Sequence, residues 1–164
     1  MNFRTLIAAA GTLTLLAACS KAPEAEAPAA AADHPAHTEA PAAAALPRTP
    51  APAGAKVFIV SPKDGEAVSS PVKVVFGIEG MTLAPAGEKN DTAGHHHLLV
   101  DNDLADASVP IPADATHIHF GKAQTEASVE LAPGKHTLQL VLGDYLHIPF
   151  DPVISSEKIT VEVK

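Results

Sequence analysis

The chain has 164 residues, a net charge of −8, a single cysteine, no tryptophan and 4% aromatic residues. The acidic balance argues against a nucleic-acid partner held through its phosphates. The scarcity of aromatic rings argues against a base-stacking or carbohydrate platform, and one cysteine rules out an internal disulfide or a thiolate metal site. The compositional excess is histidine: nine in all, seven of them after residue 55.

Met1-Asn2-Phe3-Arg4 is a short basic start, and Thr5 to Leu16 is an uncharged apolar run. The run is shorter than the ~20 residues a membrane-spanning helix needs and has the proportions of a secretory signal. Leu16-Ala17-Ala18-Cys19 resembles a bacterial lipobox, in which the cysteine is lipidated and becomes the first mature residue. The expected layout is a signal peptide over 1–18 and a lipid anchor on Cys19, with the membrane as first partner. Ser20, rather than Asp, follows the cysteine. By resemblance to Gram-negative lipoprotein sorting, that implies the outer membrane, facing the periplasm. Residues 20–55 contain 16 Ala and 7 Pro. Alanine offers little area to bury and proline breaks both regular ladders, so 19–55 reads as a disordered tether. Such a tether spans about 110 Å if fully extended and roughly 30–36 Å as a coil. His34 and His37 within it read as linker decoration or as weak captors of metal ions.

The folded domain is expected over 56–164. Lys56 to Ser61 is a β-rich run closed by the turn cluster Pro62-Lys63-Asp64-Gly65. Further runs follow at Val72 to Ile78, His95 to Asp101, Thr116 to Phe120 and Ala127 to Leu131. The last two are Lys135 to Gly143, with Leu138, Leu140 and Leu142 in alternation, and Lys158 to Val163. About seven short strands with turn signals between them and no helical period predict an all-β chain, an immunoglobulin-like or fibronectin-like β-sandwich. The span from Gly80 to Gly94 reads as a long loop leading into the histidine strand, the kind of loop that carries function. Glu88 and Asp91 in it are candidate caps over a site, or simply solvated.

Leu131-Ala132-Pro133-Gly134-Lys135-His136 resembles the corner before the penultimate strand of such sandwiches, with His136 in the place of the corner tyrosine. His136 is therefore expected to be structural, its ring N–H bonding back across the corner. Gly94-His95-His96-His97-Leu98-Leu99-Val100-Asp101, His117-Ile118-His119-Phe120-Gly121, Gln124-Thr125-Glu126 and Gly134-Lys135-His136-Thr137-Leu138-Gln139-Leu140 together resemble a bacterial domain-of-unknown-function family, DUF4399. The resemblance covers roughly residues 75–164 and implies a secreted or lipid-anchored protein, with no reaction attached. The family pattern places histidine where this chain has Phe150.

On a strand, His95 and His97 face one way and His96 the other, and His117 and His119 share a face. If the two strands pair, cross-strand spacing gathers His95, His97, His117 and His119 into one nitrogen-rich site suited to Cu or Zn. His147 is a further candidate ligand, Asp101 and Asp144 are candidate carboxylates to orient ligand rings, and Met81 is a candidate soft ligand. His96 is expected to be structural. Three other readings stay open: a hydrogen-bond network pinning the 80–94 loop, a pH-responsive cluster, and a catalytic ion. No serine or cysteine nucleophile motif accompanies the cluster, so the chain is not expected to be an enzyme. The alternative to metal binding is a structural or interaction module for envelope proteins or polymer, with the histidines hydrogen-bonded.

Overall fold

A computed structural model describes residues 46–164; Cys19, His34, His37 and the expected signal peptide lie outside the described residues. Among the described residues there are nine strands and no helix. In order they are β1 (Lys56–Ser61), β2 (Ala67–Val68), β3 (Val72–Glu79), β4 (Thr82–Leu83), β5 (Ala93–Val100), β6 (His117–Phe120), β7 (Glu126–Val129), β8 (Gly134–Gly143) and β9 (Ile159–Val163). The seven expected runs are all strands. The additions are β2 and β4, two-residue segments pairing parallel with β9 and β5. Two residues carry no periodicity, so neither was legible in the sequence. β4 also means that the 80–94 stretch is not a structureless loop.

The strands form two sheets. One is three-stranded, in the order β1-β3-β7; the other runs β2-β9-β8-β5-β4, with β6 also pairing β5. The period-2 alternation explains the packing: Val72, Val74 and Phe76 of β3 face Leu98 and Val100 of β5, Leu138, Leu140 and Leu142 of β8, and Val161 and Val163 of β9. Lys73, between two of the β3 core residues, is exposed. These facing apolar rows are the core of a fibronectin-like sandwich. Phe150, where the family pattern suggested histidine, is fully buried in that core. Met81 packs against the same core rather than standing ready as a ligand.

β5 is buried along its whole length. β8 pairs with one of its edges. On the other edge, β4 pairs with Ala93 and Gly94, and β6 with His96 to Leu99. Its inner face points into the sandwich. Its outer face is covered by connecting loops, where Leu99, Val141 and Ile111 form a second small apolar cluster with Leu104 and Val153.

The fold also begins earlier than residue 56. Arg48 donates from Nε to the Pro149 carbonyl at 3.1 Å, from Nη2 to the Phe150 carbonyl, and pairs with Asp151. Thr49 Oγ1 donates to Asp144 Oδ2 at 2.7 Å. The Thr49 carbonyl accepts from the Asp151 N–H, and the Ala51 N–H donates to the Asp151 carbonyl. Residues 48–51 are thus a strap along segment 149–151, and the expected boundary at 55/56 is corrected. The alanine and proline around Arg48 and Thr49 hid their side-chain chemistry in a composition-based reading.

At the corner, His136 Nε2 donates to the Ala132 carbonyl at 2.9 Å and Nδ1 lies 2.6 Å from Asp101 Oδ2. Asp101 also accepts the Thr137 N–H, at 2.7 Å. It therefore serves the corner and not the histidine cluster, correcting its expected role beside a ligand ring. The Asp101 hydrogen bond first, then the Ala132 carbonyl, raises the His136 pKa above its ordinary 6.5. A raised folded-state value means the stabilisation is complete below about pH 6.5 and is lost as pH rises through the folded value. Replacing His136 by Ala is expected to cost about 1 kcal/mol near pH 6 and less near pH 8, since Asp101 and Ala132 are exposed and partly screened. Urea denaturation at both pH values checks this; an equal cost at both would show that the charged pair contributes nothing.

Candidate metal centre

The outer face of the six-stranded sheet places the histidines. In the β5–β6 register His97 opposes His119 and Leu99 opposes His117. On the other side of β5, His95 opposes Gly143 and His97 opposes Val141. His95, His97 and His119 therefore share one patch, and their candidate ligand nitrogens all lie within 4.8 Å of one another. His117 points to the same side of the sheet but one step further along, beside Leu99. Its Nδ1 donates to Asp114 at 3.0 Å, with Asn102 Nδ2 3.4 Å from Nε2. The antiparallel register that would have assembled all four is offset by two residues, so the expected set is corrected: His117 is held by Asp114 and lies apart from the trio.

His147 takes the fourth place. Its ring centroid is 4.9 Å from that of His95, 5.8 Å from His97 and 4.7 Å from His119. It comes from the turn after β8, where the His147 backbone sits at φ 69°, in the left-handed region that is uncommon for residues other than glycine. Asp144 holds it there. Its carbonyl accepts the His147 N–H, its N–H donates to the Ile148 carbonyl, and its Oδ1 accepts the Leu146 and Ile148 N–H groups at 2.9 and 3.0 Å. Asp144 was expected to orient a ring directly. Among the described residues it makes no hydrogen bond to one; it shapes the turn that presents His147, and its other oxygen is taken by Thr49.

Two glycines make room for the rings. A Cβ on Gly121 would fall 2.3 Å from His119 Cε1, and one on Gly143 would fall 2.9 Å from His97 Nε2. Both were missed in the sequence, where the available signal was a glycine at or just beyond a strand end near a histidine pair. Glu88 and Asp91 are exposed in the preceding loop.

The electrostatics favour neutral imidazole. Burial first, then the neighbouring His147 and His119, lowers the His95 pKa to about 4. Burial, then His95, His119 and His147, lowers that of His97 to about 2. His119 is lowered by burial and by His147. Neutral imidazole is the ligating form, so these rings are ready for an ion at neutral pH without losing protons. His95 Nε2, both nitrogens of His97 and His119 Nε2 are buried without a hydrogen-bond partner among the described residues. His96 sits on the opposite face, as expected, with its ring centroid 5.1 Å from that of Phe76 in the sandwich core and both nitrogens likewise unpartnered. Burial lowers its pKa to about 4.

A family model described as a domain of unknown function, DUF4399, matches residues 74–164, which contain all the residues of this centre. No curated protein matches the chain. Among solved structures the chain is similar to a fibronectin(III)-like module of Clostridium thermocellum CbhA, at 19% identity. That likeness covers 66% of this chain and 94% of the module, with a TM-score of 0.43.

Proposed function

The chain belongs to the DUF4399 family, and from that premise we propose that it is a cell-envelope lipoprotein whose sandwich binds one transition-metal ion, Cu or Zn, through His95, His97 and His119. The observation that carries the reading is the set of unpartnered nitrogens. A hydrogen-bond network, the main alternative, satisfies its members; here buried nitrogens on three converging rings have no partner among the described residues. Each unsatisfied buried polar group costs about 1–3 kcal/mol, a cost that an ion at their common point offsets. No reaction is part of the proposal. The envelope location rests on the Leu16-Ala17-Ala18-Cys19 sequence; Cys19→Ala is expected to abolish lipid labelling, and unchanged labelling would remove that half of the reading.

The test is calorimetric titration of the tag-free full chain carrying His34→Ala and His37→Ala, so that linker imidazoles do not contribute. One equivalent of ion is expected to bind and to raise the melting temperature by mass action. His97→Ala and His119→Ala are each expected to weaken binding sharply. No saturable binding below about 100 μM, which corresponds to roughly 5.5 kcal/mol of binding free energy, would overturn the metal reading.

A further inference from the structure

The four rings carry more than the existence of a site. We infer that the centre is a closed tetrahedron of imidazoles, with His147 as the fourth ligand, and that it selects a d10 cation, Zn(II) or Cu(I), over Cu(II). This rests on the metal reading above and goes beyond it in coordination number, geometry and the class of ion.

Six centroid separations define the arrangement of the rings. His95–His97 is 5.0 Å, His95–His119 4.9 Å and His97–His119 5.0 Å. Those from His147 to the same three are 4.9, 5.8 and 4.7 Å. Four points with six nearly equal separations form a tetrahedron. A square-planar set of the same edge would have two diagonals of about 7 Å, and none approaches that. The size fits as well. A tetrahedron with edges of about 5 Å has its centre about 3.1 Å from each vertex, which equals a metal–nitrogen bond of about 2.0–2.1 Å plus the roughly 1.1 Å from nitrogen to ring centroid.

His147 lies outside the group whose ligand atoms are within 4.8 Å of one another, although its centroid occupies the fourth vertex. Turning an imidazole about its Cβ–Cγ bond moves the nitrogens and leaves the centroid nearly in place, and that torsion is soft. His147 therefore completes the set by a ring rotation, with no movement of its turn.

Geometry also decides the ion. Bare affinity of nitrogen ligands ranks Cu(II) above Zn(II), so a site prefers otherwise only by imposing a shape. Cu(II) wants a tetragonal arrangement, and a d10 ion has no such demand. His95 and His97 lie on β5, interior to the six-stranded sheet and almost completely buried, so flattening this set would require His119 and His147 to move together. His119 is held in register opposite His97, and the His147 turn is held by Asp144 Oδ1. With four imidazoles on the ion, no coordination position is left for water or substrate, so the centre holds or hands on the ion rather than activating a water.

The test uses the full chain with the two linker histidines replaced. Co(II) serves as the spectroscopic stand-in for Zn(II). The expected spectrum has the intense visible bands of a tetrahedral centre, unchanged by azide and constant over about pH 7–9, where a metal-bound water would ionise. His147→Ala is expected to keep one equivalent of Co(II) but to become azide- and pH-sensitive as water enters the vacated position. X-ray absorption of the unsubstituted Zn(II) form, counting imidazoles, keeps the inference testable if that variant fails to fold; four are expected. In the copper arm, bound copper is expected to be held as Cu(I) under a mild reductant, and Zn(II) competition against Cu(I) identifies which d10 ion is preferred. An azide-sensitive spectrum in the unsubstituted chain, three imidazoles plus oxygen, or a tetragonal Cu(II) resonance that outcompetes both d10 ions would overturn the inference while leaving metal binding at the trio intact. Absence of any binding would instead overturn the function proposed above.

Discussion

Metal-free protein is expected to lose most of its folding stability between about pH 6.5 and pH 5. In the folded state burial holds His95 and His96 at about 4 and His97 at about 2, whereas the same imidazoles in an unfolded chain titrate near 6.5. The folded-state values are depressed, so the stability these groups allow is fully present above about pH 6.5. It falls as the unfolded chain takes up protons that the native state refuses, until the folded-state values are reached. Each such histidine contributes a slope of about 1.4 kcal/mol per pH unit. Three of them acting together remove about 6 kcal/mol by pH 5, comparable with the total stability of an ordinary domain. Opposing this, His136 is raised and favours the fold in acid, but it is one group at an exposed corner. Urea denaturation at pH 7, 6 and 5 with a metal chelator present reads the slope, and a midpoint constant across that range would sink the prediction. His96→Leu sharpens the test. It removes two unpartnered nitrogens from the sandwich core, so stability at pH 7 is expected to rise by about 1–3 kcal/mol, and the acid slope to shrink by about a third. A bound ion has the same sign of effect, because it holds its ligands deprotonated.

How much of this was legible in the sequence depends on the periodicity involved. Val72 to Ile78 and Lys135 to Gly143 announce themselves by alternation, and their inward rows are the ones that face each other in the core. The faces of His95, His96 and His97 follow from the same period of two. Register does not. Sliding one antiparallel strand past another by two residues leaves every side chain on its own face, so the pattern of His117 and His119 is equally consistent with His117 inside the cluster or beside Leu99. In the structure His117 is held by Asp114, three residues before it, and approached by Asn102, contacts that the alternation of the strand does not reveal. His147 reaches the cluster through a turn whose geometry depends on the Asp144 carboxylate and, through it, on Thr49, 95 residues earlier. Nothing local in Leu46-Pro47-Arg48-Thr49 distinguishes a strap from the end of a tether.

Gly143→Ala is expected to damage the centre without touching a ligand. Gly143 does not have a positive φ, so alanine is compatible with the backbone and the effect comes from the added methyl alone. That methyl would lie 2.9 Å from His97 Nε2, 3.1 Å from His97 Cδ2 and 3.3 Å from the His147 Cα. A ring at the surface would swing away cheaply. His97 is completely buried on a strand paired along both edges, so the contact is relieved only by displacing the ring or by spreading β8 from the His147 turn. Overpacking of this kind costs about 1–3 kcal/mol of stability. Because the displaced ring is one vertex of the cluster, metal affinity is expected to fall at least about tenfold, or 1.4 kcal/mol. The cause is separable by a double-mutant cycle. In a His97→Ala background the methyl enters the space that the imidazole leaves, so the stability cost of Gly143→Ala is expected to shrink, giving a coupling of about 1 kcal/mol or more. Strictly additive costs would mean that Gly143 is required for the strand itself, and that the room it leaves for His97 is incidental.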